Sequence, residues 1–334
     1  VADVWESVTP PSVNLGVTVA GRDSFGVVGM ARDPFRLNVA YFGACYQTLY
    51  KTTDYGMTWA PVGNQFDLNE SVQWNTVCSP DGSYMLAVAG YSNGTLGIYR
   101  STNGGLTWSL RQGVDVACIA IDPDDTTQCM ASTHTVDGDW YTSGDAGLTW
   151  TPFANPGPNN ANNIGFLNST IVIATGPLGV YRLTKSGGVW SGAQTLVNEG
   201  PHGGQQHFRD DVYQFYYIGG TTDLASSKIW RSSFSDGGQT WTLVSTSLGS
   251  TYGACTLWGS ATKIYAQANF ATHGEYYHFA QIATRANGTD WTLMPNLPAG
   301  YKMGAHSAIS MTDGSRSVSY AALDNWGLWR RIEP

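Results

Sequence analysis

One short motif recurs along this 334-residue chain and limits what it can fold into. The clear copies are Thr52-Thr53-Asp54-Tyr55-Gly56-Met57-Thr58-Trp59, Ser101-Thr102-Asn103-Gly104-Gly105-Leu106-Thr107-Trp108, Ser143-Gly144-Asp145-Ala146-Gly147-Leu148-Thr149-Trp150 and Ser235-Asp236-Gly237-Gly238-Gln239-Thr240-Trp241. Two degraded copies end at Trp190 and Trp291. Each copy follows a strand-like segment such as Leu49-Tyr50-Lys51, Ile98-Tyr99-Arg100, Val180-Tyr181-Arg182 or Ile229-Trp230-Arg231. At the termini, Gly327-Leu328-Trp329-Arg330 matches the segment before a motif, and Val4-Trp5-Glu6 matches the segment after one. A seventh unit is therefore split between the two ends. Trp5, Trp59, Trp108, Trp150, Trp190, Trp241 and Trp291 mark seven units of about 40 to 54 residues that use up the whole chain. Each unit reads as four short strands separated by Gly-rich turns.

The motif resembles the Asp box, S/T-x-D-x-G-x-T-W, of the sialidase-like β-propellers, a superfamily of carbohydrate-active proteins. The resemblance implies an all-β fold: a single domain over residues 1–334, a seven-bladed propeller of four-stranded antiparallel blades, closed by N- and C-terminal strands sharing one blade. It also implies that the box Asp residues are structural, with Asp bonding its own turn, Gly supplying positive φ, and Trp packing between sheets.

Composition narrows the function. Only 17 Lys+Arg and 25 Asp+Glu accompany 40 Gly, 13 Trp, 18 Tyr and 11 Phe, which excludes disordered and long-helix readings. A net charge of −8 without a basic cluster argues against nucleic acid and anionic membrane surfaces. No apolar run approaches the roughly 18 residues that would cross a bilayer. A soluble, secreted monomer is expected, since the chain opens at Val1 and carries sequons at Asn69, Asn93, Asn168 and Asn287. Cys118 and Cys129 flank the turn Asp122-Pro123-Asp124-Asp125 and could form a disulfide or remain two buried thiols.

Strand order puts the box turns at one end of the propeller. The residues leading into each inner strand, and the loops joining second to third strands, lie at the other. All six His residues, His134, His202, His207, His273, His278 and His306, map to inner strands or to this second end. The expected partner is a carbohydrate, bound at one central site because these rim residues differ from unit to unit. Two chemistries are open. β-Elimination at a uronic acid would draw on His202, His306, Lys302, Tyr252, Arg22 and Asp23 as base and charge stabilisers. Hydrolysis would use paired carboxylates among Asp23, Asp115, Asp137, Asp139, Glu275 and Asp324. Trp74, Asn163, Gln205, Gln206, His207, His134, His273, Tyr46 and Trp326 are the expected substrate contacts, and a lectin without catalysis is the third reading. No cofactor is required; a structural cation in the central channel is compatible with the sequence.

The resemblance also separates families. Sialidases need three rim arginines, and here only Arg22 and Arg209 are candidates. The segment Ser24-Phe25-Gly26-Val27-Val28-Gly29-Met30-Ala31-Arg32-Asp33-Pro34 looks like the opening of xyloglucanase-type propellers. Their catalytic Asp follows in the next strand-loop, where this chain has Gly43-Ala44-Cys45-Tyr46.

Overall fold

The computed structural model describes residues 4–19, 25–63, 75–90, 96–134, 138–156, 163–176, 179–197, 207–209, 213–218, 228–245, 252–259, 264–270, 278–282, 291–293, 307–312, 315–323 and 326–333. These form seven four-stranded antiparallel sheets. In the first, Val27–Arg32, Ala40–Ala44, Leu49–Thr52 and Ala60–Val62 pair in chain order. The second holds Thr76–Cys78, Met85–Ala89, Gly97–Ser101 and Ser109–Gln112. The third holds Val116–Ile121, Cys129–Thr133, Trp140–Ser143 and Thr151–Phe153. The fourth, Asn163–Asn168, Ile171–Gly176, Gly179–Ser186 and Val189–Val197, has the longest strands. The fifth and sixth sheets begin at His207–Arg209 and Tyr252–Gly259. In the seventh, Ser307–Thr312, Ser317–Ala322 and Leu328–Ile332 are followed by Trp5–Ser7 as the outermost strand, with Trp5 opposite Arg331. The first strand of each sheet lies against the first strands of its neighbours, and the seventh returns against the first.

The core is laid down between successive sheets. Phe42 stacks on Tyr50 at 4.9 Å and meets Trp59 edge-on, and Trp59 in turn meets Tyr320 of the seventh sheet. Trp140, Phe166 and Trp190 fill the space between third and fourth sheets. Trp5 joins Trp258, Tyr265 and Leu323 between sixth and seventh.

The recurring turns hold themselves by one scheme. The Asp145 carboxylate accepts hydrogen bonds from Ser143 Oγ at 2.8 Å, Thr149 N at 2.9 Å and Thr149 Oγ1 at 2.6 Å. Ser143 Oγ accepts from Gly147 N at 2.9 Å. Asp54 repeats the set with Thr52 and Thr58. Asn103 keeps the geometry without the charge, by turning Nδ2 toward Thr107 Oγ1 at 2.8 Å. Because a neutral amide suffices at one position, the carboxylates at the others are there for shape.

Each turn is also gripped by the preceding sheet. The residue after the Asp or Asn has φ between 57 and 70°: Tyr55 58°, Gly104 68°, Ala146 61° and Gly237 69°. That left-handed residue points its carbonyl outward. Arg100 Nε donates to Ala146 O at 2.8 Å, Arg182 Nε to Gly237 O at 2.7 Å, Tyr320 Oη to Tyr55 O at 2.6 Å and Tyr41 Oη to Gly104 O at 3.4 Å. The basic residue that recurs before the motifs is thus, in the second and fourth sheets, a latch on the following one.

One open alternative is decided and two expectations change. Cys118 and Cys129 are free, buried thiols. Cys118 stands opposite Ser132, while Cys129 stands opposite Ile121, so the two are offset along the ladder. They also face different interfaces, Cys118 toward the fourth sheet and Cys129 toward the second. The degraded copy before Trp190 is no box: Ser186 and Val189 close a hairpin through Gly187 and Gly188, at φ 57° and 82°. In the copy ending at Trp241, Phe234 occupies the Ser/Thr position, and a 3-10 turn over Phe234–Asp236 supplies the bend.

Candidate functional site at the channel mouth

Antiparallel order brings the start of each first strand and the end of each second strand to the same end of the molecule. Asp115 immediately precedes Val116–Ile121, and His134 immediately follows Cys129–Thr133. The two meet there: His134 N donates to Asp115 O at 3.0 Å, and His134 Nδ1 lies 3.4 Å from Asp115 Oδ2. About a quarter of each side chain is exposed. The hydrogen bond to Asp115 outweighs desolvation and raises the imidazole above its ordinary value. Asp115 Oδ1 is buried with no hydrogen-bond partner. One oxygen of this carboxylate therefore steadies an imidazole, and the other is uncommitted.

Asn75 and Asn163 stand at the equivalent starts of the second and fourth inner strands. Both line a cavity of about 370 Å³ between the inner strands, and a second of about 330 Å³. Asn75 Oδ1 is likewise buried without a partner. His207 and Tyr252 begin the inner strands of the fifth and sixth sheets, which puts both at the same end. Trp326 sits in the second-to-third connection of the seventh sheet, 39% exposed, an aromatic face open to solvent. Asp139, at the same end of the third sheet, is exposed.

Tyr46 does not fit the role expected of it. It turns the chain at φ 57°, and its ring is 5% exposed, packed with Val28 and Cys45 against Val17 and Val19. A ring spent on that cluster has no face for a sugar. Arg22, Asp23, Trp74, His202, Gln205, Gln206, His273, Lys302 and His306 lie outside the described residues, as do the sequons at Asn69 and Asn93. Asn168 sits at a tight turn, where its Oδ1 accepts from Thr170 N and Oγ1, both at 2.9 Å. Among the described residues, no group of three or more His, Cys, Asp or Glu could hold a metal ion.

The Asp115 and His134 pairing was not drawn from the sequence, although both residues were placed at this end. Their strand neighbours put them opposite each other only once the register of the third sheet is known. Cys118, Cys129 and Tyr84, by contrast, belong to the interior: burial pushes both thiols up to about 12.

No protein-family model matches the chain, and no curated protein matches its sequence. Solved structures do resemble it. A GH74 xyloglucanase from Xanthomonas campestris is 15% identical, with a TM-score of 0.66 over 98% of this chain and 53% of that one. YCF48 bound to D1 peptide is 16% identical, with a TM-score of 0.64 over 99% of this chain and 97% of that one. An ancestral GH74 enzyme is 17% identical, with a TM-score of 0.60 over 95% and 45%. The chain thus spans about half the length of the xyloglucanase and nearly all of YCF48. At such identities the likeness speaks to architecture alone, and the architecture it shows is a β-propeller.

Proposed function

We propose that the chain is a seven-bladed propeller of the Asp-box kind, closed by its two terminal strands, which binds a carbohydrate polymer over the channel mouth and hydrolyses a glycosidic bond there. The observation that carries this reading is the Asp115 carboxylate, with Oδ2 beside His134 and Oδ1 buried and uncommitted. Glycoside hydrolysis needs two carboxyl groups, one to protonate the leaving oxygen and one to act as base or nucleophile. Asp115 serves as the second kind. His134, charged below its raised titration point, steadies that carboxylate through Oδ2. Asp139, exposed at the same end, is the described candidate for the acid. Asn75 and Asn163 offer amides to sugar hydroxyls, and Trp326 offers a stacking face. The GH74 neighbours support the reading through fold only.

A second reading keeps the site and changes the chemistry. Asp115 makes His134 a stronger base than a free imidazole, which suits removal of a C5 proton in β-elimination, with Lys302 or Arg22 stabilising the enolate and His202, His306 or Tyr252 sharing the proton transfer. Secretion as a monomer, with a glycan on Asn168, accompanies either reading.

The test is incubation of the protein and its Asp115→Asn variant with neutral and uronate-containing polysaccharides. Hydrolysis predicts new reducing ends without the ultraviolet absorbance of unsaturated uronates, lost in the variant. Absorbing products would select elimination. Saturable binding with no product from any substrate would make the protein a lectin and overturn cleavage.

A further inference from the structure

We propose that the channel below the mouth binds a small oxyanion on Arg32, in the cavity that Asn75 and Asn163 of the mouth also line. This inference does not depend on glycoside cleavage. Arg32 ends the inner strand Val27–Arg32 of the first sheet and lines the cavity of about 370 Å³. It is the one charged side chain among the described residues lining that cavity; no Asp or Glu faces it there. In a chain of net charge −8, a cavity whose described lining carries a guanidinium and no acid is a local inversion of sign.

The guanidinium is also underused. Arg32 Nη1 makes a long, 3.4 Å hydrogen bond to Ser310 O, and no carboxylate of the described residues lies within ion-pair distance. Arg carries five N–H donors in a planar fork suited to two oxygens of one anion. Arg32 is exposed to the channel, and the walls around it desolvate its guanidinium enough to lower its titration point. The rest of the lining supplies neutral donors rather than competing acids. Ser307 of the seventh sheet and Asn163 of the fourth face the same space. Asn75 lines it too, and half a turn of its amide puts Nδ2, a donor, where Oδ1 now lies buried without a partner. The volume falls in the range of small-molecule sites.

The ligand class is therefore a compact oxyanion, either an inorganic anion or the carboxylate of an acidic sugar. Calorimetric titration in chloride-free buffer with sulfate, phosphate and glucuronate separates the two sources. Wild-type protein is expected to bind at one saturable site and to melt at a higher temperature with ligand present. Arg32→Gln should bind at least tenfold more weakly and show no ligand-induced rise in melting temperature, while Arg32→Lys keeps part of the affinity. Tighter binding of glucuronate than of sulfate or phosphate assigns the site to acidic sugars, and equal binding assigns it to simple anions; both support the proposal. Asp115→Asn should leave this binding unchanged, so failure at the mouth and failure in the channel are told apart. The proposal is overturned if none of the three anions binds saturably, or if folded Arg32→Gln binds as the wild type does.

Discussion

The recurring turns and the channel mouth spend their polar groups in opposite ways. In the recurring turns, the carboxylates of Asp54 and Asp145 and the amide of Asn103 are each bonded within their own turn, in one pattern shared by three sheets. At the mouth, Asp115 and Asn75 keep buried oxygens with no partner, and no single pattern of bonds recurs among the described residues. A polar group that is saturated and repeated is stabilising its own turn. One that is buried, unsaturated and singular has capacity left for a ligand. The contrast makes the recurring turns the place to test for stability and the mouth the place to test for the proposed chemistry, and single substitutions can break it.

The largest expected effect is at the mouth. Asp115→Asn should lower cleavage by about a hundredfold or more, the usual scale for a lost acid–base group, without a comparable fall in melting temperature. Asp145→Ala should do the reverse: about 1–2 kcal/mol of stability lost by denaturant titration, with cleavage retained below the melting transition. Asp145→Asn should lose less, because Asn103 already fills that role in the second sheet.

Next comes the latch between sheets. Arg100 bonds Ala146 O and lies 4.7 Å above the Tyr84 ring, so Arg100→Ala should cost about 1 kcal/mol by the same titration. Acidity then separates the ends by sign. Desolvation acts against it, but hydrogen bonds from Thr149 and Ser143 hold the Asp145 carboxyl below its ordinary value. Its contribution is present above the unfolded-state value of about 4 and is lost as pH falls through the folded value. His134 is raised, so its contribution is full below about pH 6.5 and is lost as pH rises through the folded value. Proton resonances of His134 followed against pH should show the raised midpoint in wild type and an ordinary one in Asp115→Asn. The smallest effect is chemical: Cys118 and Cys129 should titrate as free thiols only after unfolding, with no disulfide on non-reducing analysis.

What the sequence disclosed follows the same division. Repetition is readable, so the tryptophans, the strand segments before them and the split between Trp5 and Leu328–Ile332 could be found by alignment of the chain with itself. Register is not readable in that way. The turn between Cys118 and Cys129 was visible, but a disulfide needs the two opposite each other, and the ladder sets Ser132 against Cys118 instead. The same blindness hid the Asp115 and His134 pair. Tyr46 was misjudged because aromatic character at a loop says nothing about which way an αL turn sends the ring. Trp190 kept its place in the core although its turn became a Gly-Gly hairpin, since the packing position outlives the motif that marks it.

The direct measurement is product formation from polysaccharide by Asp115→Asn and Asp145→Asn, assayed side by side below the melting temperature of each. The account predicts that Asp145→Asn cleaves at close to the wild-type rate and that Asp115→Asn does not. Cleavage by Asp115→Asn at the wild-type rate, or its loss in folded Asp145→Asn, would contradict the placement of chemistry at the mouth.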